Sequence, residues 1–497
     1  MKLQRSRPDG CLDAAAVINF LDAVAAQSLE LHSMMVLRHG EVAAEGWWAP
    51  YGPDSVHLLY SLSKSFTSAA AGFAMADGLF SWEDHVIDLW PEADPDEVGA
   101  LAKEITIRNV ASMATGHWED TLERAVGQAA GDLVRGFLAV PPDQEPGTVF
   151  AYNNTATYVL GAITQRLTGE NLSQWLKPRL FDPIGIDQAR WATWGGTPEE
   201  PGYDIAFTGL HLTTEAVARF GQLLLDGGRV DGRQLLDPAW LELATSRQIR
   251  NDIRGNGDVP DPDWACGYGF QFWLSRHGFR GDGAYGQFCL VLPEVDAVVV
   301  LTSATAQTQD LLDAVWEHLL PGFGTTADPD EPAPIGADRH DELAGRLGSL
   351  ELTPVATRIP PPDPVRSSRF ASGAGNIAFP CLSGFSVAAG TGGWQLELTM
   401  ETGTAAVTAG DGAWAAGTLP GYGGDVPVMT SAGWTGDGRF EVEMIMIFTP
   451  HRVHLVAEQA DGDPTTSEFR SEWNLPPLAG TDPTHLFVAD TLNPVRA

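Results

Sequence analysis

The sequence predicts an α/β (α+β) protein. One antiparallel sheet is flanked by helices and interrupted by a long helical insertion, and a separate antiparallel β domain follows. Three observations carry this. Strand-like runs lie at residues 33–48 and 267–303, with helical patterns dominating from about 95 to 260 between them. Residues 322–368 are rich in Pro, Asp and Gly ("DPDEPAP", "IPPPDP"), the composition of a linker. Beyond it apolar residues alternate, as Trp394, Leu396, Leu398 and Met400 do in "WQLELTM" and Val453, Leu455 and Ala457 do in "RVHLVAE". The expected boundaries are 1–321, 322–368 and 369–497.

The elements follow in order. Residues 14–27 have helical periodicity. "SMMVLRHGEVAAEGWW" reads as two strands around a turn at His39-Gly40. "LLYSLSKSFTSAAAGFAMADG" reads as a helix that stops at Gly78. "NTATYVLGAITQRLTG" places Val159, Leu160, Ile163 and Leu167 on one face and ends at Gly169. "LTTEAVARFGQLLLDGG" has a threonine cap and a Gly227-Gly228 stop. "GQFCLVLPEVDAVVVLTS" is a hairpin turning near Pro293-Glu294. Helices are expected at about 307–320 and, within the linker, at about 339–348.

The chain of 497 residues is 44% hydrophobic and 19% charged, enough to bury a large core. Its net charge of −35 excludes nucleic acid and anionic membrane as partners, since both need a basic face. Cys11, Cys266, Cys289 and Cys381 are scattered and form no CxxC, so neither a metal site nor a disulfide framework is expected. The first residues carry no apolar core of signal-peptide length, and no stretch approaches a membrane span. A cytoplasmic protein without cofactor or metal, acting on a small molecule, is the expectation.

The chemistry centres on Lys64, one of only four lysines. Residues three apart share a helix face, so Ser61 and Lys64 sit one turn apart. A serine at a helix start lies near free backbone N–H groups that can support an oxyanion. A lysine against apolar neighbours loses proton affinity and can act as a base. Ser61 then reads as nucleophile and Lys64 as its activator, against the plainer reading of an N-cap serine and a solvated lysine. In "EPGTVFAYNNTATYVLG", Tyr152 can relay a proton and Asn154 can hold a substrate carbonyl; a packed tyrosine and a capping asparagine are the alternative. In "GDGAYGQFCLVLPEVDAVVV", residues 281–286 match G-x-G-x-x-G, but a strand follows where a dinucleotide site needs a helix. Glycines entering a strand suit a backbone lying close to a ligand. Gly283 and Ala284 are therefore expected beside the nucleophile, with the Ala284 N–H as second oxyanion donor. No G-x-S-x-G elbow accompanies His57 or His117, which are expected to be structural or exposed.

With these motifs the sequence resembles the serine β-lactamase and penicillin-binding-protein-like superfamily, class C-like branch, over about residues 15–320. "YSLSKSFTSAAAG" and "FAYNN" carry the resemblance, supported by "TIRNVASMATG", "LTGENLSQWLKPRLFDPIGI" and "GYGFQFW". It implies an acyl-enzyme on Ser61, with Lys64 as partner, Tyr152 as proton shuttle and Asn154 as substrate ligand. It also implies a lipocalin-like C-terminal β domain. The family's K-T-G or H-x-G motif is replaced by Gly281-Asp282-Gly283, which removes the cation that meets a substrate carboxylate. Arg280 is the nearest candidate to replace it. The implied activity is hydrolysis of esters or amides. A second reading is an aminopeptidase in which Asp282 receives the substrate ammonium, unless Asp282 points to solvent. A third is a catalytically silent binding protein on the same fold.

Overall fold

The computed structural model describes residues 1–5, 12–93, 96–129, 131–196, 201–254, 257–258, 261–324, 339–359, 368–436, 438–459 and 467–486. Cys11, linker residues 325–338 and 360–367, and the last residues of the β domain lie outside them. The sheet of the first domain runs in the order Gln4–Arg5, Glu41–Trp47, Leu31–Arg38, Ala297–Ser303, Gln287–Leu292, Phe279–Gly283, Trp273–Leu274. Only its first pair is parallel. The N-terminal hairpin meets the C-terminal one where Leu31–Arg38 pairs with Ala297–Ser303, so everything between them loops out and returns.

Leu31–Arg38 is buried along its whole length because both faces of the sheet are covered. Met35 and Leu37 enter one core, with Phe66, Val159 and Phe220 from the helices Ser63–Ala76, Asn154–Thr168 and Thr214–Leu225. Met34 and Val36 enter the other, with Val17 and Phe20 from Ala14–Ala26 and Leu311 from Thr308–Ala314. The period of two thus sends alternate residues into different cores. Thr213 caps its helix through Ala216 N, as expected from its sequence.

The crowd of hydroxyls around Lys64 has a structural use. Ser65 Oγ donates to Gln271 O at 3.0 Å, and Thr67 Oγ1 donates to Ala206 O at 2.8 Å. Ser63 Oγ accepts from Leu210 N at 3.1 Å. Each bond ties the buried helix to a loop of the insertion or to the approach of the Trp273 strand, and offsets the burial of a polar group.

The strand Phe279–Gly283 crosses directly over the start of that helix. A Cβ on Gly281 would lie 2.1 Å from Leu62 Cδ1, and one on Gly283 would lie 2.1 Å from Leu59 O. The glycines of the G-x-G run therefore let a strand approach the Ser61 turn, and Gly283 also lines the cleft beside Ser61.

The C-terminal domain is a nine-stranded β-barrel among the described residues, from Ser368–Asn376 to Glu468–Trp473. Trp394, Leu396, Leu398 and Met400 point inward, with Val453, Leu455 and Ala457. Two pairings are parallel, one between its first and last strands and one a single bridge between Gly410 and Ser431. An up-and-down walk through an odd number of strands leaves the first and last running the same way, so closing the barrel makes them parallel. The barrel docks on the first domain through Leu58 N to Phe448 O at 2.8 Å, Tyr51 Oη to Thr449 O at 2.9 Å and the ion pair of Arg452 with Glu30 at 2.8 Å.

Gly283→Ala should destabilise the protein by about 1–3 kcal/mol, because the new methyl meets a backbone oxygen that cannot turn aside. Gly99→Ala, where a Cβ meets nothing within 4 Å, is the control. Urea unfolding followed by circular dichroism checks both.

Candidate active site

Ser61 is the middle residue of a 3-10 turn, Tyr60–Leu62, that runs straight into the helix Ser63–Ala76. It opens into a cleft of about 510 Å3, also lined by Tyr152, Asn154, Asp282, Gly283 and Ala284. Lys64, at 1% exposure, lies one turn below. The structure thus brings together all seven residues singled out from the sequence.

Lys64 Nζ has three neighbours: Ser61 Oγ at 2.9 Å, Asn154 Oδ1 at 2.8 Å and the Phe207 carbonyl at 2.9 Å. A carbonyl can only accept, so the Phe207 oxygen takes one N–H. The Asn154 amide is oriented by Asp120, whose Oδ2 accepts from Asn154 Nδ2 at 2.7 Å and whose Oδ1 accepts from Asn154 N at 3.1 Å. Asn154 Oδ1 therefore faces Lys64 as a second acceptor. The remaining tetrahedral position of Nζ points at Ser61, as an N–H when the lysine is charged and as a lone pair when it is neutral. Burial lowers the pKa of Lys64 to about 7, against the opposing pull of Asp120 and Asp282. Both states are then populated near neutral pH.

Tyr152 lines the cleft beside Ser61. Its ring stacks on Trp273 at 5.4 Å between centroids, and Lys64 Nζ lies 4.8 Å from its centre. Burial raises the pKa of the phenol, so it stays protonated at neutral pH.

Asp282 lines the cleft and does not point out to solvent; its carboxylate accepts from Arg280 Nε at 2.8 Å. Arg280 is fully buried. Its Nη1 donates to Asp263 O at 2.9 Å and Ser275 Oγ at 2.6 Å, and its guanidinium lies 4.6 Å from the Trp264 ring centre. It is held behind the aromatic wall and presents no free cation to a ligand, which corrects its expected role. His57 is engaged by His32 at 3.0 Å and by Leu58 O at 3.0 Å; His117 is engaged by Thr115 at 2.9 Å and Val140 O at 3.2 Å. Among the described residues no group of three or more His, Cys, Asp or Glu could hold a metal ion, and no helix is long and apolar enough to cross a membrane.

A family profile described as Beta-lactamase matches residues 21–320, more than half of the chain. The chain belongs to the beta-lactamase family. Among its relatives, the 6-aminohexanoate-dimer hydrolase of Paenarthrobacter ureafaciens is 28% identical over 60% of this chain and 81% of its own. Penicillin-binding protein 4 of Amycolatopsis lactamdurans is 25% identical over 60% of this chain and 85% of its own. A Bacillus anthracis structure provisionally described as a 6-aminohexanoate-dimer hydrolase superposes with a TM-score of 0.50 at 19% identity, covering 64% of this chain and 86% of that one. That likeness shows the beta-lactamase fold alone.

Several cleft residues of this beta-lactamase family member carried no signal in the sequence. Asp120 is one of two adjacent acids in "HWEDT", in a chain with 65 acidic residues. Phe207 contributes only a carbonyl, which no side-chain pattern reveals. Trp264, Thr305 and Leu478 reach the cleft from a loop, a strand end and the barrel.

Asp120→Asn should lower kcat by about tenfold, since the Asn154 amide loses its fixed orientation. If neutral Lys64 is the base, wild-type kcat/KM should rise with pH through about 7. Removing the Asp120 charge should move that limb to lower pH, because the carboxylate raises the lysine's pKa. A pH–rate profile of both proteins reads the two effects together.

Proposed function

We propose that the protein is a serine hydrolase that cleaves ester or amide bonds of small substrates through an acyl-enzyme on Ser61. The observation that carries this is the saturation of Lys64 by two fixed acceptors, which leaves its third position for Ser61 alone. Neutral Lys64 accepts the Ser61 proton as Oγ attacks the carbonyl carbon. The Ser61 and Ala284 backbone N–H groups hold the oxyanion. Tyr152, with a proton to give and Lys64 nearby to replenish it, protonates the leaving oxygen or nitrogen. Water then attacks the acyl-enzyme by the reverse path, releasing the acid and restoring Ser61 and Lys64.

The walls of the cleft support neutral substrates. Tyr152, Trp264 and Trp273 give it aromatic faces, and its one nearby arginine is already paired with Asp282. A substrate carboxylate would meet Asp282 with no free cation to offset it. The same pairing partly neutralises Asp282, which weakens the aminopeptidase reading. The order of preference is short acyl esters, then small amides, with nitrocefin and D-Ala-D-Ala peptides poor.

Ser61→Ala should abolish turnover of p-nitrophenyl esters without loss of fold. Intact-mass analysis with a slow ester should show one acyl adduct on a Ser61 peptide, and an adduct on another serine would sink the assignment. Lys64→Ala and Tyr152→Phe should each lower kcat far more than they raise KM, with non-additive losses, because both serve one relay. For specificity, Asp282→Asn should change KM for amine-bearing and neutral substrates alike. A selective rise for amines would restore ammonium recognition, and efficient nitrocefin hydrolysis would overturn the carboxylate argument.

A further inference from the structure

Two tyrosines hold left-handed backbone conformations at the edges of the cleft. Tyr60, at φ 48, directly precedes Ser61, and Tyr285, at φ 65, directly follows Ala284. A bulky side chain disfavours this region, and such residues persist only where their surroundings hold them. Both side chains are held from the same place, which is the C-terminal barrel.

The Tyr60 hydroxyl bonds to His451 Nε2 at 2.6 Å. The Tyr285 hydroxyl donates to Pro476 O at 2.6 Å. His451 sits after the strand Arg439–Met446 and before Arg452–Glu458, fully buried, with its own N–H donating to Thr449 Oγ1 at 3.1 Å. Its Nδ1 lies 2.8 Å from Leu475 O, which can only accept, so Nδ1 carries the proton and Nε2 offers a lone pair to the Tyr60 O–H. The Tyr60 oxygen in turn meets Leu478 N at 3.5 Å. The three rings close the junction edge to face: Tyr60 with Tyr285 at 5.6 Å, Tyr60 with His451 at 5.8 Å and Tyr285 with His451 at 5.6 Å. The barrel segment that receives these bonds, residues 475–478, also places Leu478 on the cleft wall.

We propose that the barrel is part of the catalytic apparatus: His451 and the 475–478 segment are positioning groups that clamp Tyr60 and Tyr285, and through them the backbone of Ser61 and Ala284 at the oxyanion site. The inference rests on the reading of Ser61 as nucleophile. Its physical content is that two adjoining backbone positions, one on each side of the reacting carbonyl, share a single external anchor. The first domain holds the Tyr285 carbonyl through Ser303 Oγ at 2.5 Å and Thr305 N at 3.2 Å, and the barrel adds the hold on both hydroxyls; releasing the hydroxyls lets each ring shift and the neighbouring amide turn with it. An oxyanion donor acts only when it is already aimed, so a small rotation weakens transition-state binding more than ground-state binding. A barrel that merely roofed the cleft would instead govern which substrates enter.

The test uses the full chain and the variants Tyr60→Phe, Tyr285→Phe and their double, which keep ring volume and remove only the anchoring hydroxyls. Labelling of wild-type Ser61 by a fluorophosphonate comes first; an unlabelled Ser61 overturns the nucleophile reading and this inference with it. With Ser61 labelled, kcat for p-nitrophenyl acetate is measured beside the affinity of a phenylboronic acid, which forms a tetrahedral adduct. Each variant should lose about tenfold to a hundredfold in kcat, with KM little changed and boronate affinity falling in parallel with kcat/KM. The double variant should lose less than the product of the singles, since one clamp is released. Wild-type kcat in the double variant, or a loss confined to KM, overturns the proposal while leaving the nucleophile reading intact.

Discussion

The structure depends on keeping one ammonium group out of water. Lys64 lies at 1% exposure, and everything around the cleft serves that placement. The helix that carries it is buried, its Ser65 and Thr67 hydroxyls donate to backbone carbonyls, Ser63 Oγ accepts from a backbone N–H, and two glycines bring a strand across its start. Burial of a charge is costly unless the group is paired or sheds its proton. Here two acceptors satisfy part of the ammonium and the remaining cost appears as lowered proton affinity. The lowered proton affinity of Lys64 therefore comes from the same packing that stabilises the domain.

The acids around the cleft act on this lysine at different ranges. Asp120 touches Asn154 and fixes the direction of its carbonyl, while its charge tempers the lysine's loss of affinity. Asp282 opposes Lys64 across the cleft but is committed to Arg280, so its field is partly cancelled. The arrangement leaves a cleft with aromatic walls and, among the described residues that line it, no unspent cation. It differs from the carboxylate-binding edge implied by a K-T-G or H-x-G motif.

Much of this was legible in the sequence, because it rests on local spacing. Ser61 and Lys64 are one helical turn apart, Tyr152 and Asn154 straddle a helix start, and the alternating apolar residues of Trp394–Met400 announce a strand with one buried face. The rest depends on long-range packing. Asp120 reaches Asn154 across 34 positions and His451 reaches Tyr60 across 391, and neither pairing leaves a local pattern. The Phe207 carbonyl is a backbone group and has no signature in side-chain identity. Gly281 and Gly283 were read as making room near a ligand. The strand also lies against Leu59 and Leu62, a contact whose partners the glycine pattern alone does not name. The parallel strand pairings of the barrel were likewise invisible, since they follow from closure.

The central claim is that Lys64 exchanges its proton near neutral pH. With only four lysines in the chain, ε-carbon-13-labelled lysine gives four NMR signals, and Lys64→Ala assigns one of them. That signal should titrate with a midpoint of about 7, well below the ordinary lysine value of 10.5. A Lys64 signal that stays charged until pH 10 would contradict the account, because the group beside Ser61 would then have no lone pair to offer.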